Sequence, residues 1–203
     1  MQLERSVVYV VDDDARVREA LTALLCSMGR RVIAFANATE YLQFPRPDLP
    51  GCLVLDLDMP DMTGLELQRE LIGQEGPPIV FLTGLGDIPS TVKAMKAGAV
   101  EFLSKPFDED DLIQAIDAAI VADEQARAKN AELHVIQKRY ASLTPRERDV
   151  LPYVVSGLLN KQTAGELGTS EITIRIHRGQ IMRKMAADSL ADLVRMAAKL
   201  GIP

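Results

Sequence analysis

The chain has 203 residues, 47% of them hydrophobic, and a formal net charge of −6. That length allows one large or two small domains, and the apolar content suffices for packed cores. No run approaches the roughly 18 consecutive apolar residues of a membrane helix. Met1 to Val11 is too short, and too soon followed by acids, for a secretory signal. Cys26 and Cys52 both fall in apolar patterns, which reads as reduced core thiols of a cytoplasmic protein rather than a disulfide or metal pair. The charge is uneven: residues 1–122 carry 10 Lys+Arg against 20 Asp+Glu, and residues 123–203 carry 13 against 9. An acidic part joined to a basic part predicts two domains with different partners.

The first strand is Val7 to Val11, followed at once by Asp12, Asp13 and Asp14. Val17, Leu21, Leu24, Leu25 and Met28 then repeat at helical spacing, with Asp14 as cap and Gly29 as stop. Val32 to Phe35 is a second strand and Ala38 to Phe44 a short helix. Cys52 to Asp61, CLVLDLDMPD, holds the third strand, an apolar run ending in Asp56. Such a run with a turn behind it reads as a buried strand of a parallel sheet, its last residue at the carboxyl edge. Gly64 to Ile72 is helical, Ile79 to Leu82 is a strand ending in Thr83, and a helix with Pro89 in its first turn runs to Ala97. Val100 to Leu103 is the fifth strand, followed by Ser104, Lys105 and Pro106. A last helix starts near Asp108. Five strand–helix repeats with short connections imply a parallel sheet covered on both faces.

From Leu112 the helical signal continues through Ala119, Ala122, Ala126, Leu133, Ile136, Tyr140 and Leu143. It reads as a long helix that doubles as linker; the alternative is a partly frayed polar helix, since the early stripe is only alanine. Thr144 then caps, Pro145 takes the first helical position and Glu147 is the capping-box acid. Val150, Leu151, Val154 and Val155 form that helix's apolar face. A second helix covers Asn160 to Leu167, with Gly168 as turn. Ser170 caps a third, Glu171 to Met185. Ser189 caps a fourth that turns Leu190, Leu193, Val194 and Met196 inward. Helices joined by a Gly-containing turn within about 60 residues fit helix-turn-helix geometry.

The strand ends assemble a site: Asp12 and Asp13 after the first strand, Asp56 after the third, Thr83 after the fourth, Lys105 after the fifth. Taken singly, each has a bland reading: an acidic turn, a strand threonine, a surface lysine. Jointly, at the same edge of one sheet, three converging carboxylates repel unless a cation sits among them, and oxygen donors mixed with water suit Mg²⁺. Asp56 is then a plausible nucleophile toward phosphorus. Lys105 would pair with a phosphoryl oxygen, and the Thr83 hydroxyl would donate to another.

VVDDD, LVLDLDMP, FLTG and FLSKPF resemble the receiver domain of two-component response regulators over about residues 5–122. The resemblance implies an α/β doubly wound sheet of five parallel strands in order 2-1-3-4-5. It also implies that Asp56 accepts phosphate from a sensor histidine kinase. Asp13, Asp56 and the backbone carbonyl of Asp58 would ligate Mg²⁺ or Mn²⁺, with Asp12 reaching the ion through water. Thr83 and Phe102 match the family's switch pair, and Asp58 and Leu85 fall where relatives tune dephosphorylation.

In the third helix of the second unit Arg175, Arg178, Arg183 and Lys184 are basic, Thr173, His177 and Gln180 are polar, and Ile172, Ile174, Ile181 and Met185 suit a core face. Such a helix can enter a major groove, with its basic side chains and polar Thr173 and His177 on DNA, most on phosphates and one or two on base edges; the alternative is a core helix with a solvated basic face. LTPRERDVL and GLLNKQTAGELGTSEITIRIHRGQIMRKM resemble the LuxR-type four-helix DNA-binding domain, so the whole chain is similar to the FixJ/NarL class. The implied organisation is a receiver at 1–122, a helical linker at 123–142 and an all-α helix-turn-helix domain at 143–203. By motif position Asn160 and Lys161 would contact the DNA backbone, and Arg175 and His177 lie at recognition-helix positions. Thr163 stands where relatives carry an aliphatic residue, and Gly179 where many carry a basic contact.

The expected function is a non-enzymatic transcription regulator that dimerises on phosphorylation and binds double-stranded DNA, with RNA polymerase as a further partner. Two rivals stand beside it. One is a haloacid-dehalogenase-type phosphatase, suggested by Asp56-Leu57-Asp58. The other is a DNA-binding protein whose receiver ignores phosphate.

Overall fold

The computed structural model describes residues 6–74, 76–84 and 88–202, with the side chains of 88–90 left aside. It divides into two compact units, Met1–Arg127 and Ala128–Pro203. Leu85 and Asp87 lie outside the described residues.

The first unit carries β1 (Val7–Val11), α1 (Ala15–Ser27), β2 (Arg31–Phe35), α2 (Ala38–Gln43), β3 (Gly51–Asp56), α3 (Gly64–Leu71), β4 (Ile79–Thr83), α4 (Ile88–Lys96) and β5 (Glu101–Ser104). The sheet is parallel throughout, in the order β2-β1-β3-β4-β5. Val7, Tyr9, Val11, Leu53, Leu55 and Phe81 pack into one apolar layer, and Val8, Val10, Cys52, Val54, Val80 and Leu82 into another. Successive side chains of a strand face opposite ways, so uninterrupted apolar runs are what a sheet buried on both faces needs. Each fully buried Val or Leu contributes about 1.5–3 kcal/mol.

Register does the rest. Val11 pairs with Leu55, Asp56 with Leu82, and Thr83 with Ser104. These pairings bring the carboxyl ends of β1, β3, β4 and β5 to one edge.

The long helix α5, Glu109–Ala141, is continuous, as expected. Leu112, Ile116, Ala119 and Ile120 enter a core of the first unit, and Ile136 and Tyr140 that of the second. The expected stripe is broken between them, because Ala122 and Ala126 are exposed. The second unit adds α6 (Pro145–Val155), α7 (Asn160–Glu166), α8 (Glu171–Met185) and α9 (Leu190–Lys199). Thr144, Ser170 and Ser189 cap α6, α8 and α9 as read from the sequence, and Thr144 and Glu147 form a complete capping box.

Four expectations are corrected. Cys26 is exposed, whereas Cys52 is fully buried, which pushes its thiol pKa up. Met28, at the end of α1, is exposed. In α8 the core face is Ile174, Ile181 and Met185; Ile172 falls on the other side and is exposed. In α9 Val194 is exposed, and Ala197 is buried beside Leu193. In each case the apolar run is wider than the arc that the neighbours cover.

Candidate functional site

At the carboxyl edge of the first unit's sheet, the Lys105 ammonium donates to Asp12 Oδ2 at 2.7 Å and to Asp56 Oδ1 at 2.6 Å. Both acids are buried, and Thr83 is fully buried at the next strand end. The backbone N–H of Lys105 donates to the Thr83 carbonyl at 2.6 Å, which ties the two strand ends together. Asp56 Oδ2 accepts from the Asp58 N–H at 2.9 Å, so Asp58 reaches the site through its backbone while its side chain is exposed. Asp12 Oδ1 accepts from the Asp14 N–H at 2.9 Å. The Asp14 side chain in turn caps α1.

Burial pushes the Asp56 carboxyl above the ordinary aspartate value, and the Lys105 bond and charge only partly offset it. Burial pulls the Lys105 ammonium down, but its bonds to Asp12 and Asp56 more than offset this, and its pKa is raised. One cation thus serves two acids, and the like charge of Asp12 works against ionised Asp56. A further cation is what this edge favours electrostatically.

Of the three carboxylates expected to converge, Asp12 and Asp56 share Lys105, and Asp13 stands outside that pair. Among the described residues no three potential metal-ligating side chains cluster. Asp13 is exposed: the chain turns outward into α1, and the Arg18 guanidinium takes the carbonyls of Asp12 and Asp13 at 2.7 and 2.9 Å. The donors still suit a hard divalent ion, since two buried carboxylates already share one positive charge and a third acid adjoins them in sequence. Phe102 is half-buried with its ring 6.1 Å from that of Phe81.

Gly64 is a residue that sequence reasoning used only as a helix start. A Cβ there would lie 2.5 Å from the Asp56 carbonyl oxygen and 2.9 Å from the Phe81 ring. The first turn of α3 therefore packs directly on the end of β3, which a larger residue would forbid. The signal was present, because Thr63 and Glu66 spell a capping box around Gly64, and that box forms.

In the second unit α8 presents its basic residues unevenly. Arg175 is largely exposed, 3.6 Å from Glu171 across one turn. Arg183 is exposed and donates to Gln180. Arg178 is half-buried with Nη1 3.5 Å from Asn160 Oδ1, at the outer limit of a hydrogen bond. Lys161 is exposed and His177 half-buried. Thr173 belongs to the α8 cap, its N–H donating to Ser170 Oγ and its hydroxyl 2.8 Å from the same atom. Lys184 is corrected: its ammonium is held by buried Glu147 Oε2 at 2.7 Å, so it braces α8 on α6 rather than facing outward.

Residues 8–117 match the response regulator receiver domain, and residues 141–197 match the bacterial regulatory proteins of the luxR family. The chain therefore belongs to the response regulators, with a receiver joined to a LuxR-type DNA-binding domain, the FixJ/NarL arrangement. Among its relatives is Nodulation protein W of Bradyrhizobium diazoefficiens, 48% identical over 98% of this chain and 88% of that one. The transcriptional regulatory protein FixJ of the same organism is 44% identical over 96% of both. Among solved structures, the response regulator StyR superposes with a TM-score of 0.83 at 47% identity, covering 96% of this chain and 99% of that one. Full-length FixJ from B. japonicum gives 0.58 at 42%, covering 98% and 99%. The phosphatase template is not what the chain matches: its acidic pair comes first in the chain, and the matching family is the receiver. Among the described residues no helix is long and apolar enough to cross a membrane.

Proposed function

We propose that Asp56 is the phosphoryl acceptor of a DNA-binding transcription regulator, phosphorylated by a sensor histidine kinase in the cytoplasm. The observation that carries the proposal is the Lys105 ammonium held between Asp12 and Asp56. A carboxylate oxygen of Asp56 attacks phosphorus, an O–P bond forms, and the bond from phosphorus to the donor breaks. Lys105 follows the charge onto a phosphoryl oxygen, and Thr83 supplies a hydroxyl to another. Asp13, Asp56 and the Asp58 carbonyl, with Asp12 one water away, would hold Mg²⁺ or Mn²⁺. A bound divalent ion supplies neutralisation of the phosphoryl charge.

Thr83 and Phe102 then re-pose the surface of α4 and β5, two chains pair, and the dimer reads two DNA half-sites. Moving such a switch from 1:99 to 99:1 takes about 5.5 kcal/mol of differential stabilisation. The functional segments are 1–122, 123–142 and 143–203, with Asn160, Lys161, Thr173, Arg175, His177, Arg178 and Arg183 on DNA and RNA polymerase as a further partner.

The test is Asp56→Asn with a small acyl phosphate donor and Mg²⁺. The variant takes up no acid-labile phosphate, and its mass in solution stays that of the untreated protein. Labelling that survives the substitution removes Asp56 from the role. Wild-type protein whose mass and DNA affinity ignore beryllofluoride removes the switch.

A further inference from the structure

The outward stripe of α8 is not purely basic. Ile172 is 69% exposed and Ile176 58% exposed, one turn apart. Arg175 is 71% exposed at its side chain. Gly179 completes the stripe, and a Cβ built there meets nothing within 4 Å among the described residues. The opposite face is fully engaged by Ile174, Ile181 and Met185. Two β-branched apolar side chains left in water on one face, bracketing an arginine, are costly unless a partner covers them.

We propose that Ile172 and Ile176 read thymine, by packing against the C5-methyl groups of duplex DNA in the major groove. This rests on the DNA-binding reading of α8. Continuity with that interface selects the occupant: both residues lie in the first two turns, which a helix-turn-helix protein presents to base edges. The methyl of thymine is the apolar group exposed on the major-groove edge of the bases. Four residues of helix span about 6 Å, close to two base steps of 3.4 Å. The two isoleucines therefore address bases about two apart, and Arg175 between them can exchange its exposed pairing with Glu171 for a guanine edge or a phosphate. Gly179 keeps the next turn without a side chain, so the helix can lie deep in the groove.

The experiment uses the full chain treated with beryllofluoride and Mg²⁺, and duplexes enriched by it from a randomised pool. Each thymine of the enriched duplex is replaced in turn by deoxyuridine, which removes the methyl and nothing else. At the contacted positions wild-type affinity falls about four-fold per methyl, the change expected for one buried methylene-sized group. Ile172→Ala loses affinity for the thymine duplex and shows no further loss with uracil at one of those positions; Ile176→Ala does the same at a position about two bases away. An unchanged wild-type affinity on every uracil duplex overturns the proposal even when DNA is bound tightly. So does an Ile172→Ala variant that stays as sensitive to the methyl as wild type, or one that binds DNA more tightly without phosphoryl mimic, which would place the chain's own first unit on this face. Failure of wild type to enrich any duplex overturns instead the DNA-binding reading beneath it.

Discussion

Lys105 in the first unit and Lys184 in the second are both half-buried ammonium groups 2.7 Å from a buried carboxylate. Their surroundings differ in stoichiometry. Lys184 faces one acid, Glu147, whose oxygen also accepts from the Thr144 N–H, so that the charge is matched and the cap is closed. Lys105 faces two acids, and one negative charge is left over. A matched pair is architecture: it welds α6 to α8 and asks for nothing else. An unmatched one favours further positive charge, which is what the proposed metal-assisted phosphoryl site would use.

Breaking the matched pair gives the largest effect. Glu147→Ala removes a capping-box acid and leaves Lys184 without its partner, and lowers the stability of the second unit by about 3 kcal/mol. Urea unfolding followed by a second-unit probe reads it. Gly64→Ala comes next. Its Cβ cannot coexist with the Asp56 carbonyl at 2.5 Å, so the end of β3 moves, stability falls by about 2 kcal/mol, and the phosphorylation rate falls at least ten-fold. Single-turnover labelling separates the second effect from the first.

Asp56→Asn goes the other way. Relieving two acids on one cation raises the stability of the first unit at neutral pH by about 1 kcal/mol, visible as a higher Tm without added metal.

Acid sharpens the contrast, because the two carboxylates have opposite signs. Burial pushes Glu147 up, but its bonds to Lys184 and Thr144 more than offset this and hold it below its ordinary 4.5. Its contribution is therefore complete above pH 4.5 and is lost as pH falls through the lower folded value. Asp56 is raised above its ordinary 3.8. The folded state then holds the Asp56 proton more tightly than the unfolded chain, so this group favours folding as pH drops below the raised value. Urea titrations of wild type, Glu147→Gln and Asp56→Asn between pH 3 and 7 expose both slopes. Equal slopes in wild type and Glu147→Gln would remove Glu147 from the account.

An effect no larger than that of Asp56→Asn lies at Thr163, whose hydroxyl is buried with no hydrogen-bond partner among the described residues. Thr163→Val replaces it with a methyl of the same shape and stabilises the second unit by about 1 kcal/mol. An unchanged Tm would mean that the hydroxyl is already satisfied, for example by a buried water.

Much of this was legible in the sequence for physical reasons. Apolar runs ending in Asp, Thr or Lys report both a buried strand and its edge, because a parallel sheet covered on both faces needs apolar side chains along the strand and accepts polar ones where it ends. Caps are equally readable, since Asp14, Thr144, Ser170 and Ser189 act on backbone groups two or three residues away. Ile172 and Val194 were misread for the opposite reason. Spacing places a residue on a helix, but how much of the circumference is covered depends on neighbours far away in the chain. Cys26 and Met28 sit in apolar patterns on a helix with the same ambiguity.

Composition and local order alone therefore indicated the two kinds of domain, the individual strands and the polar residues at their ends, because apolar runs, caps and turn signals are set within a few residues, whereas the sheet joins strands far apart in the chain, as Val11 with Leu55. Only tertiary structure decided which charges are spoken for. Lys105 lies 49 residues from Asp56 and 93 from Asp12, and Lys184 lies 37 from Glu147. The sequence marked Lys105 as a strand-end residue and Lys184 as one basic residue of a helix, but not which acids either would meet. Folding makes one a clamp that is already closed and leaves the other, at LVLDLDMP, holding two acids with a single charge.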